Sequence, residues 1–426
     1  MTIFLKSLLV SSVLISASVS VFGGEEKSEL VGSYDSQSAY RLHQNWNLKK
    51  FLRVSPEGGY SYSNLAQQLP HATISRQGPV VELVRELDPA LEQFSVLWES
   101  ESHELQELIL ANSSPVRSMM VVRDGKVIYE KYPKIKSHEN HVWMSNSKPV
   151  ASYLLSQLER EGLFDEQKTV GYYLPQARGT SWESIKVVDV LHMQTGLDLI
   201  EGAEQRENAD SSFSRFMVSE LGYPNPEGVV QTHNEALLDI GHLREPGKAF
   251  EYSSANTQML GVLIEAITGE RLVDTISSRL WRHIGAQGDA QLALSPQGNG
   301  IIHGLISSRL EDMAKFAMLY TPSAGLLSSR TLVSADTLKK IQTAGRPENY
   351  LNGSVGRKLQ RRFSELPLAN AYQWDAVFTD GDIYKGGMNG QGIYISPSKN
   401  LVVVWFANGY TQVPMEKVAR SIALSQ

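Results

Sequence analysis

No cysteine occurs among the 426 residues of the chain. That excludes disulfides, a thiolate nucleophile, Cys-ligated zinc, iron–sulfur clusters and a lipid anchor on cysteine. Covalent catalysis is left to Ser, Thr, Lys, Tyr or a carboxylate. Charge of one sign is not in excess. The 40 Lys+Arg stand against 46 Asp+Glu, a net charge of -6, so nothing electrostatic points to nucleic acid as a partner. Beyond the first two dozen residues no run approaches the roughly 18 uninterrupted apolar residues that suggest a membrane span. Internal repeats and low-complexity tracts are missing. So are Gly-x-Gly-x-x-Gly and Walker-type lysine motifs, which leaves nucleotide chemistry unsupported. With 42% hydrophobic and 20% charged residues, a mostly disordered chain is excluded.

What is present begins with a leader pattern. Met1 to Lys6 carries one positive charge, and Leu8 to Phe22 is apolar with interspersed serines. This predicts a cleaved secretory signal over residues 1–23, a periplasmic or secreted bacterial location, and no stable membrane insertion after cleavage. Residues 24–105 read as an N-terminal extension, polar and irregular to about residue 90, that wraps the body. A short helix is expected over Glu101 to Leu110.

Residues 106–426 carry the periodic structure. Two β-rich runs, Ser118 to Arg123 and Lys126 to Glu130, flank Asp124-Gly125, a strong hairpin signal. The C-terminus repeats the pattern: Ala371 to Phe378 with Ile383 to Lys385, then Gln391 to Ser396 with Leu401 to Ala407, then a helix over Met415 to Leu424. Between them, about residues 160–340 are helical, with Ser308 and Glu311 expected to form a capping box. The fold class is α+β: an antiparallel sheet built from both chain ends, flanked by a large helical insert, with a cleft where the two meet.

Three stretches are candidates for chemistry. In Ser145-Asn146-Ser147-Lys148, a serine at a helix N-terminus is followed by a lysine on the same face, and a desolvated lysine can act as base. A second Ser-x-x-Lys, Ser396 to Lys399, lies in a hairpin turn and shows how cheaply the four letters occur. Tyr252 lies in the turn before a helix and is placed to project into the cleft. Lys385-Gly386-Gly387-Met388 reads as an edge strand entering a glycine-rich turn. Taken singly, these read as an N-cap, a packed aromatic and a tight hairpin.

In this order and context the three resemble the Ser-x-x-Lys, Tyr-x-Asn and Lys-x-Gly elements of the serine β-lactamase and penicillin-binding protein superfamily. Val121 to Tyr132, Gly162 to Pro175, Asp189 to Leu197 and Gly392 to Val404 are similar to the class C β-lactamase-like branch. Ser254 stands where Tyr-x-Asn has asparagine, with Asn256 two residues later. Tyr-Ser-Ser-x-x-Thr-Gln-x-Leu-Gly is more similar to 6-aminohexanoate-dimer hydrolases and related esterases. The resemblance implies an acyl-enzyme on Ser145, with Lys148 and Tyr252 sharing the base role. It also implies an oxyanion hole from the backbone N–H groups of Ser145 and Met388. Lys385 would support the Tyr252 phenolate or a substrate carboxylate, Gly387 would belong to the substrate-binding strand, and Ser254 would offer a hydroxyl in place of an amide. The implied substrate is a small-molecule or short-peptide amide or ester, with no cofactor and no metal.

The rivals are a β-lactamase or D-amino-acid peptidase on cell-wall-like substrates, a non-catalytic peptidoglycan-binding relative, and a zinc hydrolase using His138 and His141. The two histidines are three apart beside an expected strand, which fails the four-residue spacing of a zinc helix. Segment 200–250 is expected to set the shape of the pocket.

Overall fold

The computed structural model describes residues 34–426. The leader expected over residues 1–23 lies outside them. The runs around Asp124-Gly125 form strands Val116–Arg123 and Lys126–Lys131, paired antiparallel. Asp124 and Gly125 both take positive φ, 52° and 76°, as a type I′ turn requires. From the C-terminus, Leu401–Ala407 pairs with Val116–Arg123, so the two ends of the chain meet inside one sheet. Its eight strands run Ala369–Ala371, Trp374–Val377, Ile383–Gly387, Gln391–Ser396, Leu401–Ala407, Val116–Arg123, Lys126–Lys131, Val84–Arg85. Every pairing is antiparallel except the last.

Neighbouring residues of a strand face opposite sides of the sheet. Met119 and Val121 enter a core shared with Trp405 and the C-terminal helix Met415–Ser425. Met120 and Val122 enter the other, with Val402, Val404 and the helix Leu310–Met318. Both faces are covered, so the central strands read as unbroken apolar runs.

In the insert, helix Lys148–Arg160 starts with Pro149 in its first turn, and helix Ser254–Thr268 stops at Gly269 in the left-handed conformation. A second sheet joins His71–Ile74, Ala290–Ala293, Ile306–Ser308 and His141–Val142. It ties the N-terminal segment to the insert and leads into the turn that carries Ser145.

Several expectations need correction. The segment to residue 90 is not irregular. It holds helices Ser36–Gln44, Leu48–Phe51 and Pro56–Ser63, each started by a side-chain cap from Asp35, Asn47 or Ser55. Their few apolar residues hide the period. Of Glu101 to Leu110, only Leu105–Leu110 is helical, because Glu101–Glu104 pairs as a strand with Ser95–Trp98. The run Ala371 to Phe378 breaks at Tyr372-Gln373, both at positive φ, which adds a hairpin. That hairpin makes Ile383–Gly387 an interior strand rather than an edge. The Ser308–Glu311 capping box does not form. Strand pairing with His141 fixes Ser308, whose hydroxyl accepts from Trp143 Nε1, and Glu311 bonds Arg85 and Lys315 instead.

Candidate active site

The backbone N–H of Trp143 donates to the Ile306 carbonyl at 2.8 Å and anchors the chain entering the turn Met144–Ser147. Met144 takes a φ of 50°, a strained position for a bulky side chain. The turn runs directly into helix Lys148–Arg160, so Ser145 lies at the positive end of the helix dipole. From His141 to Val150, Ser145 is the one residue that is not buried.

Lys148 is fully buried. Its Nζ donates to Ser254 Oγ at 3.0 Å and to the His303 carbonyl oxygen at 2.5 Å. A neutral amine has two protons, and these two acceptors can take both, leaving its lone pair unengaged. Burial lowers Lys148 to about 7; Glu201 pulls the other way and Lys385 adds to the fall. The Ser145 side chain lies close enough to the Tyr252 hydroxyl to favour its ionised form. Its ring centroid is 5.3 Å from Lys148 Nζ and 4.6 Å from Lys385 Nζ. Burial, with Asp375 and Glu201, raises Tyr252 well above the ordinary phenol range, more than the Ser145 contact lowers it. Near neutral pH the phenol keeps its proton, and Lys148 is the group poised to lose one.

Ser254 opens helix Ser254–Thr268, and its backbone N–H donates to the Glu201 carboxylate. Asn256 turns away from the cleft: its Oδ1 accepts from Thr195 Oγ1 at 3.2 Å in a buried contact. Lys385, fully buried, donates to Asp375 Oδ1 at 2.5 Å, and the Gly386 N–H donates to Asp375 Oδ2 at 3.1 Å. Its charge is thus held by Asp375 beside the Tyr252 ring and not offered to the open cleft. A Cβ on Gly387 would stand 3.0 Å from the Trp143 carbonyl oxygen and 3.2 Å from Asn146 Nδ2, so glycine lets the strand approach the Ser145 turn. Met388 follows it, and Asn389 Nδ2 donates to Tyr62 Oη at 2.7 Å, tying this turn to the N-terminal segment.

Ser145, Ser254, Glu201 and Met388 line two cavities that meet at the serine. One is narrow, about 50 Å³, and mainly apolar: Trp46, Leu48, Phe51 and Leu52 form a wall from the N-terminal segment, with Phe213 and Met217 opposite. Its polar lining also includes Glu220, His303 and Arg206, the last shared with the second cavity. The other, about 230 Å³, is polar and includes Tyr252, Arg206, Glu251, Lys358, Arg362 and Glu416.

Glu201, Asp375 and the N-terminal wall escaped the sequence reading. Glu201 lies in the segment expected to shape the pocket. The signal at Asp375 was a carboxylate inside an apolar strand. His138 and His141 do not come together as ligands: His138 is exposed, while His141 is buried and stacked on Phe406 at 4.4 Å.

The family described as beta-lactamase matches residues 106–426. A curated relative, 6-aminohexanoate-dimer hydrolase of Paenarthrobacter ureafaciens, is 24% identical over 369 residues, covering 82% of this chain and 85% of the relative. A solved Bacillus anthracis protein, provisionally assigned as a 6-aminohexanoate-dimer hydrolase, shares the fold. Its TM-score is 0.74 at 19% identity, over 87% of this chain and 94% of that one. A class C beta-lactamase superposes with a TM-score of 0.53 at 18% identity, over 75% and 94% of the two chains. The α+β arrangement described above is therefore the β-lactamase/transpeptidase-like fold.

Proposed function

The chain belongs to the beta-lactamase family and is a serine hydrolase of amide or ester bonds, and from that premise we propose that it cleaves linear amides or esters through an acyl-enzyme on Ser145. The functional analogy is with 6-aminohexanoate-dimer hydrolases and related esterases. The observation that carries this reading is the two-sided cleft, apolar on one side of Ser145 and charged on the other. An unbranched acyl chain suits the narrow cavity among Trp46, Leu48, Phe51 and Leu52. The leaving half then lies in the wider cleft. There Lys358 has no carboxylate within ion-pair distance among the described residues, and it meets an anionic end.

In the first step Lys148, as the neutral amine, takes the proton of Ser145 as Oγ attacks the carbonyl carbon. The backbone N–H groups of Ser145 and Met388 receive the developing oxyanion. Tyr252 gives its proton to the leaving nitrogen or oxygen and is reprotonated from Lys148. Water then enters, and the same groups return the proton as the acyl-enzyme is hydrolysed. Lys385, held by Asp375, keeps a positive charge beside the Tyr252 ring.

The test is a hydrolysis panel on the purified protein: p-nitrophenyl esters of graded chain length, linear aminohexanoate oligomers, nitrocefin and D-alanyl peptides. Linear esters and amides are expected to turn over faster than nitrocefin, and Ser145→Ala is expected to abolish both turnover and fluorophosphonate labelling. Turnover unchanged in Ser145→Ala refutes the assignment; preference for nitrocefin or D-alanyl peptides replaces it with the cell-wall reading. Export to the periplasm or medium is part of the proposal and rests on the leader pattern. N-terminal sequencing of the mature protein checks it, and a retained Met1 overturns it.

A further inference from the structure

Behind the apolar cavity three buried side chains converge from distant parts of the insert: Glu220, His233 and His303. One ligand atom from each lies within 4.8 Å of the other two. The rings of His233 and His303 stand 6.4 Å apart, centroid to centroid, and Phe216 packs against both. None of the three is needed for the acyl transfer above. We propose that Glu220, His233 and His303 form a binding site for a divalent transition-metal ion of the zinc type, open on one side to the cavity beside Ser145.

The protonation pattern supports this. The Ser219 hydroxyl donates to the Phe216 carbonyl at 2.6 Å, so its oxygen is left to accept. His233 Nδ1 lies 3.2 Å from that oxygen and therefore carries the ring proton. This tautomer leaves the lone pair on His233 Nε2, which makes no hydrogen bond of full geometry among the described residues, with Gln258 Oε1 as its polar neighbour. A histidine that donates from one ring nitrogen to a fixed acceptor and offers the other is arranged as a metal ligand. Glu220 is buried, and its one ion-pair partner among the described residues is His303, whose Nε2 stands 2.5 Å from Oε1. No lysine or arginine reaches that carboxylate within ion-pair distance among the described residues.

Geometry and ligand type agree on the class of ion. Two donors on one tetrahedral zinc stand about 3.3 Å apart, for bonds of about 2.0 Å. The present separations run from 2.5 Å to at most 4.8 Å, so small side-chain rotations suffice. Two imidazoles and one carboxylate suit zinc, and also cobalt or nickel, better than calcium or magnesium. Glu220 and His303 both line the cavity, which provides an access path and a free coordination position. The ion displaces the proton shared by His303 Nε2 and Glu220 Oε1. The sequence had implied no metal, because positions 220, 233 and 303 match no ligand spacing.

The test uses the whole protein, stripped with a chelator and dialysed to equilibrium against zinc chloride. One zinc per chain is expected. Glu220→Gln and His233→Ala should weaken binding by at least about a hundredfold, and Ser219→Ala, which removes only the acceptor behind His233, by about tenfold. The cobalt-loaded wild-type protein should show the intense visible bands of a four- or five-coordinate ion, a measurement independent of whether any variant folds. No stoichiometric binding overturns the proposal, as do weak six-coordinate cobalt bands or zinc retained unchanged in all three variants. In that case His233 Nε2 pairs instead with Gln258 Oε1, a neighbouring buried acceptor also without a partner among the described residues.

Discussion

Replacing Asp375 by Asn leaves Lys385 a buried cation without its counter-charge. The lysine is fully buried and Asp375 is 5% exposed, so water screens neither. Breaking one side of such a pair costs about 3–5 kcal/mol. An independent bound comes from proton loss. Neutralising a buried lysine at pH 7, from an ordinary pKa of about 10.4, costs about 4.6 kcal/mol relative to the unfolded chain. The two figures agree, so Asp375→Asn should lose about 3–5 kcal/mol in urea unfolding, and Lys385→Met a similar amount through the stranded carboxylate. The double variant Lys385→Met/Asp375→Leu leaves no charge uncompensated and should lie within about 2 kcal/mol of wild type, a strong coupling in the mutant cycle. All three should lose kcat on neutral esters, because the cation beside Tyr252 is gone or neutral. A Lys385→Met protein that unfolds like wild type and raises KM only for carboxylate-bearing substrates refutes this charge pairing. That outcome would make Lys385 a substrate-anion ligand.

The pH profile tests the choice of base. In the proposed mechanism Lys148 works as the free amine, and burial lowers it to about 7, so kcat/KM on a neutral ester, in chelator-treated protein, should rise through about pH 7 to a plateau. Tyr252 is raised well above the ordinary phenol range, so the plateau should extend far into alkali; a profile flat from about pH 5 to 9 contradicts the base assignment. The same lowered value makes the folded chain bind fewer protons than the unfolded one between about 7 and 10.4, so this group's contribution to stability rises with pH across that window. The N-terminal wall makes a separate prediction. Phe51→Ala or Leu52→Ala widens the acyl cavity, and each added methylene that finds room should raise kcat/KM about fourfold, from about 0.8 kcal/mol per buried CH₂. Identical chain-length preference in wild type and both variants places the acyl chain elsewhere.

Sequence alone determined the local chemistry and the order of the parts. Ser145 and Lys148 are three residues apart on a helix start, Asp124-Gly125 can adopt the turn that its hairpin needs, and Gly269 ends a helix. Each is decided within a few residues, which is why each is legible. Tertiary structure decided the rest. Ser254 stands at the motif's asparagine position with Asn256 two residues later, and the bond from Thr195 holds Asn256 out of the cleft. Lys385 read as a free cation until the added Ala369–Val377 hairpin brought Asp375 alongside it, making an expected edge strand an interior one. Trp46 and Phe51 became a wall of the site only when the small sheet, through His71–Ile74, drew the N-terminal segment to the insert. Glu220 and His303 are 83 residues apart in the chain and 2.5 Å apart in space. Contacts of that kind depend on strand register and helix packing, set by the sum of many buried surfaces rather than by the residues that finally meet.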